Sequence, residues 1–411
     1  MTLVPTADWQ PLLEGAEAEL AHDAIEAIGL ELERLEPNDA SLYHGQAGIA
    51  LLHGARARAG SASAVDAAGD ALAFAVAGRG EENLPFLARG FAGTAFALAQ
   101  LGDLVDPGPE TLAEYDRAVA WVLERDPWPF EWELIVGLTG LGVYGLERAG
   151  TAVGRAIVER VLGHLTARAE IEPGGTTWQA PVREGDLTGL SPRETATYYN
   201  LGLPYGVLGA IAFLAAARRA GVTGPETGLL EEAIRWLRAH DRQDAEIRFP
   251  GFIAGGRAES RRNGWCYGDP IAATVLVGAG LAAGEPDQVA HGVEVALDAA
   301  RWDARTGHQR NGLSFCHGTA GRAHLFNRVA QATGSSELAD AARAAYRSLL
   351  AAREPGSGIG GFRHHDAVAG PGFDRGLQLG AARVTVCLLA GISDAAPDWD
   401  RAFLTELPPR G

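Results

Sequence analysis

A short glycine turn recurs seven times in this chain of 411 residues and constrains its fold more than any other feature. The turns read HGQAG, RGFAG, VGLTG, YGVLG, YGDPI, HGTAG and RGLQLG, and their first glycines stand at positions 45, 90, 137, 206, 268, 318 and 376. Intervals of this size are typical of stacked helical hairpins, and the longest ones predict inserted loops. The fifth turn has Ile271 where a second glycine is expected, and the seventh has an extra residue before Gly380.

The segments between the turns carry two kinds of helical pattern. A run of small and apolar residues follows each turn, as in AIAFLAAARRA after Gly209. A longer amphipathic stretch precedes the next turn, as in residues 229–241, and has one apolar and one charged face. Because small side chains let helices approach closely, the first kind is predicted to form an inner layer and the second an outer layer. We expect one all-α domain over residues 1–411, with an inserted loop around 171–195 and short strand pieces near 171–180 and 246–254.

The composition argues against several classes of function. The net charge is −17, and all 35 basic residues are arginine, so the clustered cations that phosphate binding requires are not indicated and no nucleic-acid partner is expected. The chain has no run of about twenty apolar residues, and its start lacks a basic region followed by an apolar one, so we expect neither a membrane span nor a secretory signal. Three cysteines are an odd number and do not indicate a disulfide framework. A reducing cytoplasm is therefore expected.

Two cysteines and a histidine stand at matched places in the repeat. Cys266 and Cys316 both lie two residues before the glycine of their turns, and His317 lies one residue before it. Zinc prefers thiolate and imidazole ligands, and a catalytic zinc keeps one position open. The alternative is that a cysteine is simply a small buried core residue, which is how we interpret Cys387 in the apolar run RVTVCLLA. The matched placement favours a metal site for the other two.

Three motifs resemble those of the lantibiotic cyclases, the LanC-like family: RRNGWCYGDP (261–270), SFCHGTAG (314–321) and NLGLPYGVLGA (200–210). The resemblance extends through all seven turns. It implies an α/α toroid, in which seven outer helices surround seven inner ones, with one Zn²⁺ held by Cys266, Cys316 and His317 at one end. The implied reaction adds cysteine thiols to dehydroalanine or dehydrobutyrine in a ribosomally made precursor peptide. The implied partners are this dehydrated precursor and a complex of dehydratase and exporter, which would bring the protein to the membrane surface.

The same resemblance suggests further site residues. Arg262 lies four residues before Cys266 and matches an arginine of the family motif, so it is a candidate to hold the developing enolate oxygen. Tyr267 follows Cys266 directly and would bring a hydroxyl near the metal. His44 precedes the glycine of the first turn, as His317 does in the sixth, and is a candidate to line the same end.

Two positions depart from the family pattern. The family usually has a histidine before the glycine of the fourth turn, where this chain has Tyr205, and an aspartate four residues before the glycine of the third turn, where it has Glu133. A phenol has a pKa of about 10, so it can donate a proton to an enolate but is a poor base at neutral pH. Three consequences are open: Tyr205 acts as the acid, another group such as Glu133 does, or cyclisation is impaired.

These observations lead to alternative functions. The first is a zinc-dependent cyclase that forms lanthionine and methyllanthionine thioether rings. The second is a non-catalytic, zinc-containing member of the same pathway that binds the peptide or serves as a scaffold, which the replacement of the histidine by Tyr205 keeps open. The third is a toroidal glycosidase, which would need two opposed carboxylates. Glu133 could be one of them, but the sequence offers no obvious second.

Overall fold

A computed structural model describes residues 9–37, 39–78, 84–182, 190–191, 193, 195–224, 228–255, 257–259, 263–308, 312–366, 370–372, 375–408 and 410. The helices in this part of the chain are α1 (Ala16–Glu33), α2 (Gln46–Arg58), α3 (Ala64–Ala77), α4 (Phe91–Gln100), α5 (Pro109–Val122), α6 (Leu138–Glu147), α7 (Ala152–Arg168), α8 (Val207–Arg219), α9 (Leu229–Ala239), α10 (Asp269–Ala283), α11 (Pro286–Thr306), α12 (Thr319–Thr333), α13 (Ser336–Ala351) and α14 (Ala381–Ile392). None of these helices has the length and hydropathy needed to cross a bilayer.

The even-numbered helices form a closed inner ring. Each of them contacts the next even-numbered helix along the chain, and α14 contacts α2 to close the circle. Each odd-numbered helix from α3 to α13 packs outside the inner helix that precedes it, and α1 packs on α14. Side chains of α10 and α12 are buried on almost all sides, whereas α9 buries one face only. This is the α/α toroid with seven inner and seven outer helices that the family resemblance implies.

Short antiparallel strands lie in three of the connections between the helices. They are β1 (Glu170–Glu172), β2 (Gly175–Thr177), β3 (Ala180–Pro181), β4 (Thr197–Asn200), β5 (Phe252–Ala254), β6 (Arg257–Glu259), β7 (His364–Asp366) and β8 (Gly370–Gly372). Strands β1 and β2 form a hairpin, β3 to β6 form a sheet in that order, and β7 pairs with β8. The positions of β1, β2 and β5 confirm the predicted strand pieces, whereas the hairpin of β7 and β8 was not anticipated.

A glycine caps the N-terminus of every inner helix. The capping residues are Gly45, Gly90, Gly137, Gly206, Gly268, Gly318 and Gly380. The alignment of the seventh turn on Gly376 was therefore wrong, because Gly380 is the glycine that precedes α14. In the corrected alignment Arg383 stands where most other turns have their second glycine, and Leu379 stands directly before the capping glycine.

Most turns need their second glycine because the backbone there lies against a carbonyl oxygen of the same turn. A β-carbon at Gly48 would overlap the carbonyl oxygen of Leu42, six residues earlier. The equivalent overlap occurs at Gly93, Gly140, Gly209 and Gly321. The fifth turn has Ile271 at this place, and its capping Gly268 has φ 92°, whereas the other six capping glycines are extended.

We expect Gly48→Ala to lower the free energy of unfolding by about 1–3 kcal/mol, because the added methyl group must displace backbone in a packed turn. The matched control is Gly163→Ala in the outer helix α7, where a β-carbon would meet no atom within 4 Å. That change should be neutral or stabilise the protein by about 0.4–1 kcal/mol, because alanine restricts the unfolded chain. Denaturant unfolding of both variants provides the measurement. Equal stabilities of the two variants would contradict the steric explanation.

Candidate metal centre

Backbone hydrogen bonds join neighbouring turns around one end of the inner ring. In five such bonds a backbone N–H of one turn donates to a carbonyl oxygen of a neighbouring turn at 2.9–3.1 Å. The donor and acceptor pairs are Gln378 to Tyr43, Tyr43 to Ala88, Leu134 to Pro204, Leu203 to Cys266, and Cys266 to Cys316. Each acceptor is the carbonyl two residues before the capping glycine of its turn. The bond from Cys266 to Cys316 measures 2.9 Å and holds the fifth and sixth turns side by side.

Cys266, Cys316 and His317 converge at this end of the ring. Their ligand atoms all lie within 4.8 Å of one another, and all three residues are buried. Gly264 allows this approach, since a β-carbon there would lie 2.7 Å from the Cα of His317. Nδ1 of His317 is buried and has no hydrogen-bond partner among the described residues, although buried polar atoms are nearly always paired. Two thiols and an imidazole in such a space fit a tetrahedral metal ion with one position left open.

A buried ion pair holds the backbone of the histidine. Nη1 of Arg322 donates to the carbonyl oxygen of His317 at 2.8 Å, and its Nε donates to Oδ1 of Asp303 at 2.7 Å. The other carboxylate oxygen of Asp303 lies 2.7 Å from Nδ1 of His308. Because Asp303 lies on α11 and Arg322 on α12, this network ties the sixth turn to a packed pair of helices.

Comparisons with known proteins show the family and the fold of the chain. The family model described as "Lanthionine synthetase C-like protein" matches residues 36–402. The chain belongs to the lanthionine synthetase C-like family. Among solved structures, nisin cyclase is similar in fold, with a TM-score of 0.72 at 16% sequence identity over 94% of this chain and 98% of its own. A sequence comparison with curated proteins found no match. The resemblance noted from the three motifs is thereby confirmed.

Tyr205 of this lanthionine synthetase C-like protein directly precedes the capping Gly206 of the fourth turn, and the charges of Cys266 and Cys316 act on its phenol. Its side chain is 41% exposed. Partial burial, together with the negative charges of Glu133, Cys316 and Cys266, raises the pKa of Tyr205 to about 12, although Arg89 opposes the shift. The phenol is therefore protonated at neutral pH, and its hydroxyl is a proton donor rather than a base.

Glu133 is engaged by its own turn. Its Oε2 accepts a hydrogen bond from the N–H of Ile135 at 2.7 Å, and its Oε1 accepts one from the N–H of Val136 at 2.8 Å. The side chain is buried. A carboxylate held by two backbone amides shapes the third turn, and its negative charge acts on Tyr205 from there.

The remaining predicted residues lie around the same end of the ring where the structure describes them. The hydroxyl of Tyr267 accepts a hydrogen bond from Nδ2 of Asn200 at 3.3 Å, and burial raises the pKa of this phenol. His44 is half-buried in the first turn, and a β-carbon at Gly376 would lie 2.5 Å from its Cα. Arg262 lies outside the described residues.

Sequence reasoning missed two supports of this site. One is the pair of Arg322 and Asp303, which are separated by 19 residues and belong to different helices. The other is the segment after α14, where a short 3-10 helix, Trp399–Phe403, is buried against the turns. The aromatic residues of this segment, in a stretch that follows the last inner helix, were the available signal for it.

We expect Asp303→Ala to lower the free energy of unfolding by about 3–5 kcal/mol, because it leaves the buried guanidinium of Arg322 without its ionic partner. Arg322 and Asp303 have side chains that are 0% and 1% exposed. The control is Glu232→Ala, which removes the partner of Arg235 in a pair whose side chains are 61% and 40% exposed. That change should cost at most about 1 kcal/mol. A small effect of Asp303→Ala in denaturant unfolding would contradict this account.

Proposed function

We propose that this chain is a zinc-dependent peptide cyclase, which forms lanthionine or methyllanthionine rings in a precursor peptide. One Zn²⁺ would be held by Cys266, Cys316 and His317. The observation that carries the proposal is the convergence of these three buried ligand atoms within 4.8 Å of one another. Membership of the lanthionine synthetase C-like family supports a peptide carrying dehydroalanine or dehydrobutyrine as the substrate.

The reaction is an addition that conserves all atoms and involves no oxidation. The substrate cysteine loses its thiol proton, and its sulfur forms a bond to the β-carbon of the dehydro residue. The electron pair of the carbon–carbon double bond moves towards the carbonyl group as an enolate, and a proton then adds to the α-carbon. When bound at this site, zinc would supply a Lewis acid that favours the thiolate, the nucleophilic form of cysteine.

The residues around the site would supply the proton, hold the third turn and stabilise the enolate. Tyr205 would donate the proton to the α-carbon, because its hydroxyl is protonated at neutral pH and lies near enough to Cys266 and Cys316 for their charges to raise its pKa. Glu133 would act by holding the third turn, since both of its oxygens accept backbone hydrogen bonds. Arg262 is proposed to stabilise the enolate oxygen, and Tyr267 and His44 to line the opening.

The chemistry also defines the partners that the reaction needs. A dehydratase must first remove water from serine or threonine side chains of the precursor, because the acceptor double bond does not exist in an unmodified peptide. A complex with that dehydratase and with an exporter is part of the proposal.

A second candidate function is a zinc-containing binding or scaffold protein of the same pathway that closes no rings. The observation in its favour is Tyr205 at the position of the family histidine. A phenol whose pKa is raised to about 12 cannot accept a proton near neutral pH. This alternative predicts zinc in the purified protein without any acceleration of ring closure.

We expect metal analysis of the purified protein to give about one zinc per chain, and Cys316→Ala to lose most of it because one of three ligands is removed. The matched control is Cys387→Ala, which removes the fully buried thiol of α14 outside the cluster. This variant should keep its zinc. Both variants should remain helical by circular dichroism, since a core of this size does not depend on one metal ion. Full zinc content in Cys316→Ala would contradict the ligand assignment.

We expect the protein to accelerate ring closure in a dehydrated precursor peptide, measured by the loss of alkylatable thiols in mass spectrometry. Tyr205→Phe should slow this closure by at least about tenfold, because general acid catalysis typically contributes about 10²–10⁴-fold. Tyr205→His should retain activity, since it restores the usual family residue. The control is Tyr199→Phe, in a tyrosine of β4 whose hydroxyl donates to Glu172.

Two outcomes of this assay would change the assignment. Thiols that stay alkylatable at the uncatalysed rate with the wild-type protein would favour the binding or scaffold function. Wild-type rates for Tyr205→Phe would mean that another group supplies the proton, while the cyclase assignment would stand. Zinc content measured on each sample separates loss of the metal from loss of the acid.

A further inference from the structure

The segment that follows the last inner helix turns back into the ring. The 3-10 helix Trp399–Phe403 contacts α6, and the carbonyl oxygen of Asp398 just before it accepts a hydrogen bond from Nε2 of Gln100 on α4 at 2.7 Å. Trp399, Asp400, Ala402 and Phe403 are buried to 2% exposure or less. Contacts with helices from several parts of the ring place this segment inside it.

A buried ionic contact anchors the segment to α12. The carboxylate of Asp400 accepts hydrogen bonds from Nε and Nη2 of Arg328 at 2.6 and 2.7 Å. Its Oδ2 also lies 2.7 Å from Nε2 of His324. All three side chains are at most 2% exposed. Such a network fixes the depth at which the segment sits in the ring.

The tip of the segment meets the turns that carry the two thiols. The ring of Phe403 lies edge-on to those of Trp265 and Phe315, with centroids 5.4 and 5.6 Å away. These two residues directly precede Cys266 and Cys316. Nε1 of Trp265 also donates to the carbonyl oxygen of Phe403 at 3.0 Å. One phenylalanine ring therefore touches the residue beside each thiol.

The first turn holds the same ring from another side. Phe403 stacks on Tyr43 with centroids 4.4 Å apart and ring planes 20° from parallel. The hydroxyl of Tyr43 donates to the carbonyl oxygen of Ala402 at 2.8 Å. The tip of the segment is thus fixed by the first, fifth and sixth turns together.

Arg383 completes the support from the seventh repeat. Its guanidinium carbon lies 3.5 Å from the ring centroid of Phe403 and 3.9 Å from that of Phe315. Its Nε donates to the carbonyl oxygen of Leu377. Neither Nη atom has a hydrogen-bond partner among the described residues, so the aromatic faces provide the contacts of the buried cation. Arg383, which stands where most other turns have their second glycine, therefore packs against both the Trp399–Phe403 segment and Phe315 of the sixth turn.

We propose that the segment Trp399–Phe403 is a positioning element of the metal centre. Phe403 would set the separation of Cys266 and Cys316 by bracing Trp265 and Phe315 from inside the ring. This inference rests on the proposed zinc function. It gives a role in zinc binding to a segment that lies far from the ligand motifs in the sequence. Ligand atoms must be held within about 0.5 Å of the productive geometry, so a loosened support weakens metal binding even when all ligands are present.

The test compares zinc affinities, measured by competition with a chromogenic chelator. Phe403→Ala should weaken zinc binding by about 10- to 100-fold, the usual effect of losing a group that supports metal ligands. The visible absorption of the Co²⁺-substituted protein should also change, because it reports the ligand geometry. Phe403→Leu keeps an apolar side chain of similar size and should restore most of the affinity.

The matched control is Phe213→Ala in α8. Phe213 and Phe403 are both 0% exposed, but Phe213 packs against Gly142 of α6 and lies seven residues beyond the capping Gly206 of its own turn. Both alanine variants should lower the melting temperature to a similar extent. Only Phe403→Ala should lose zinc affinity, whereas a purely structural role of Phe403 would leave the two variants with equal affinities and would overturn the proposal.

A milder variant covers the case in which Phe403→Ala does not fold. Tyr43→Phe removes only the hydrogen bond to Ala402, and it should weaken zinc binding by roughly 2- to 10-fold, as expected for one hydrogen bond. Unchanged affinity in a folded Tyr43→Phe would then overturn the proposal. Absence of zinc from the wild-type protein would contradict the proposed function itself, whereas equally tight zinc in wild-type and Phe403→Ala would contradict only the positioning role.

Discussion

The other features of the structure depend on one steric constraint. In most turns the second glycine lies against the carbonyl oxygen of the residue six positions earlier. At Gly48 there is room for a hydrogen atom and no more. Each such turn is therefore held tightly against the start of its inner helix. The carbonyl two residues before the capping glycine then faces sideways, where the next turn can donate to it. The compact turns and the hydrogen bonds between them together set how the turns align around the rim, and the fifth turn makes the same bonds with Ile271 in place of the glycine.

The candidate metal centre is a direct product of this alignment. Cys266 and Cys316 occupy equivalent places in adjacent turns, so the hydrogen bond that joins the turns also brings the two thiols together. His317 directly follows Cys316 in the sixth turn, so it is brought to the same place. All three groups lie on turns and not within helices. Two long-range supports stiffen them: the pair of Arg322 and Asp303 from the outer side, and the aromatic contacts of Phe403 from inside the ring.

The parts of the structure that sequence could predict are those encoded locally. Turn motifs and apolar periodicity revealed the helices, and identical placement in two repeats revealed the cluster of Cys266, Cys316 and His317. The seventh turn was misaligned because Arg383 replaces the glycine that marks most other turns, so the pattern pointed to Gly376 instead. Contacts such as Asp400 with His324 join residues 76 positions apart and leave no periodic trace. The engagement of Glu133 by its own turn depends on a backbone conformation that residue types alone do not specify.

The packing of α1 on α14 has a consequence for how the chain matures on the ribosome. Helix α1 ends at residue 33, and its partner begins at residue 381. At a synthesis rate of about 5–20 residues per second, the buried face of α1 stays uncovered for roughly 20 to 70 seconds. During that time the nascent chain is an open arc, and the face of α1 that will meet α14 is exposed. The ring can close only after α14 has been made, because α14 contacts both α1 and α2. The strand-bearing connections lie outside this closure, so they add residues to the chain without changing which helices meet where the ring closes.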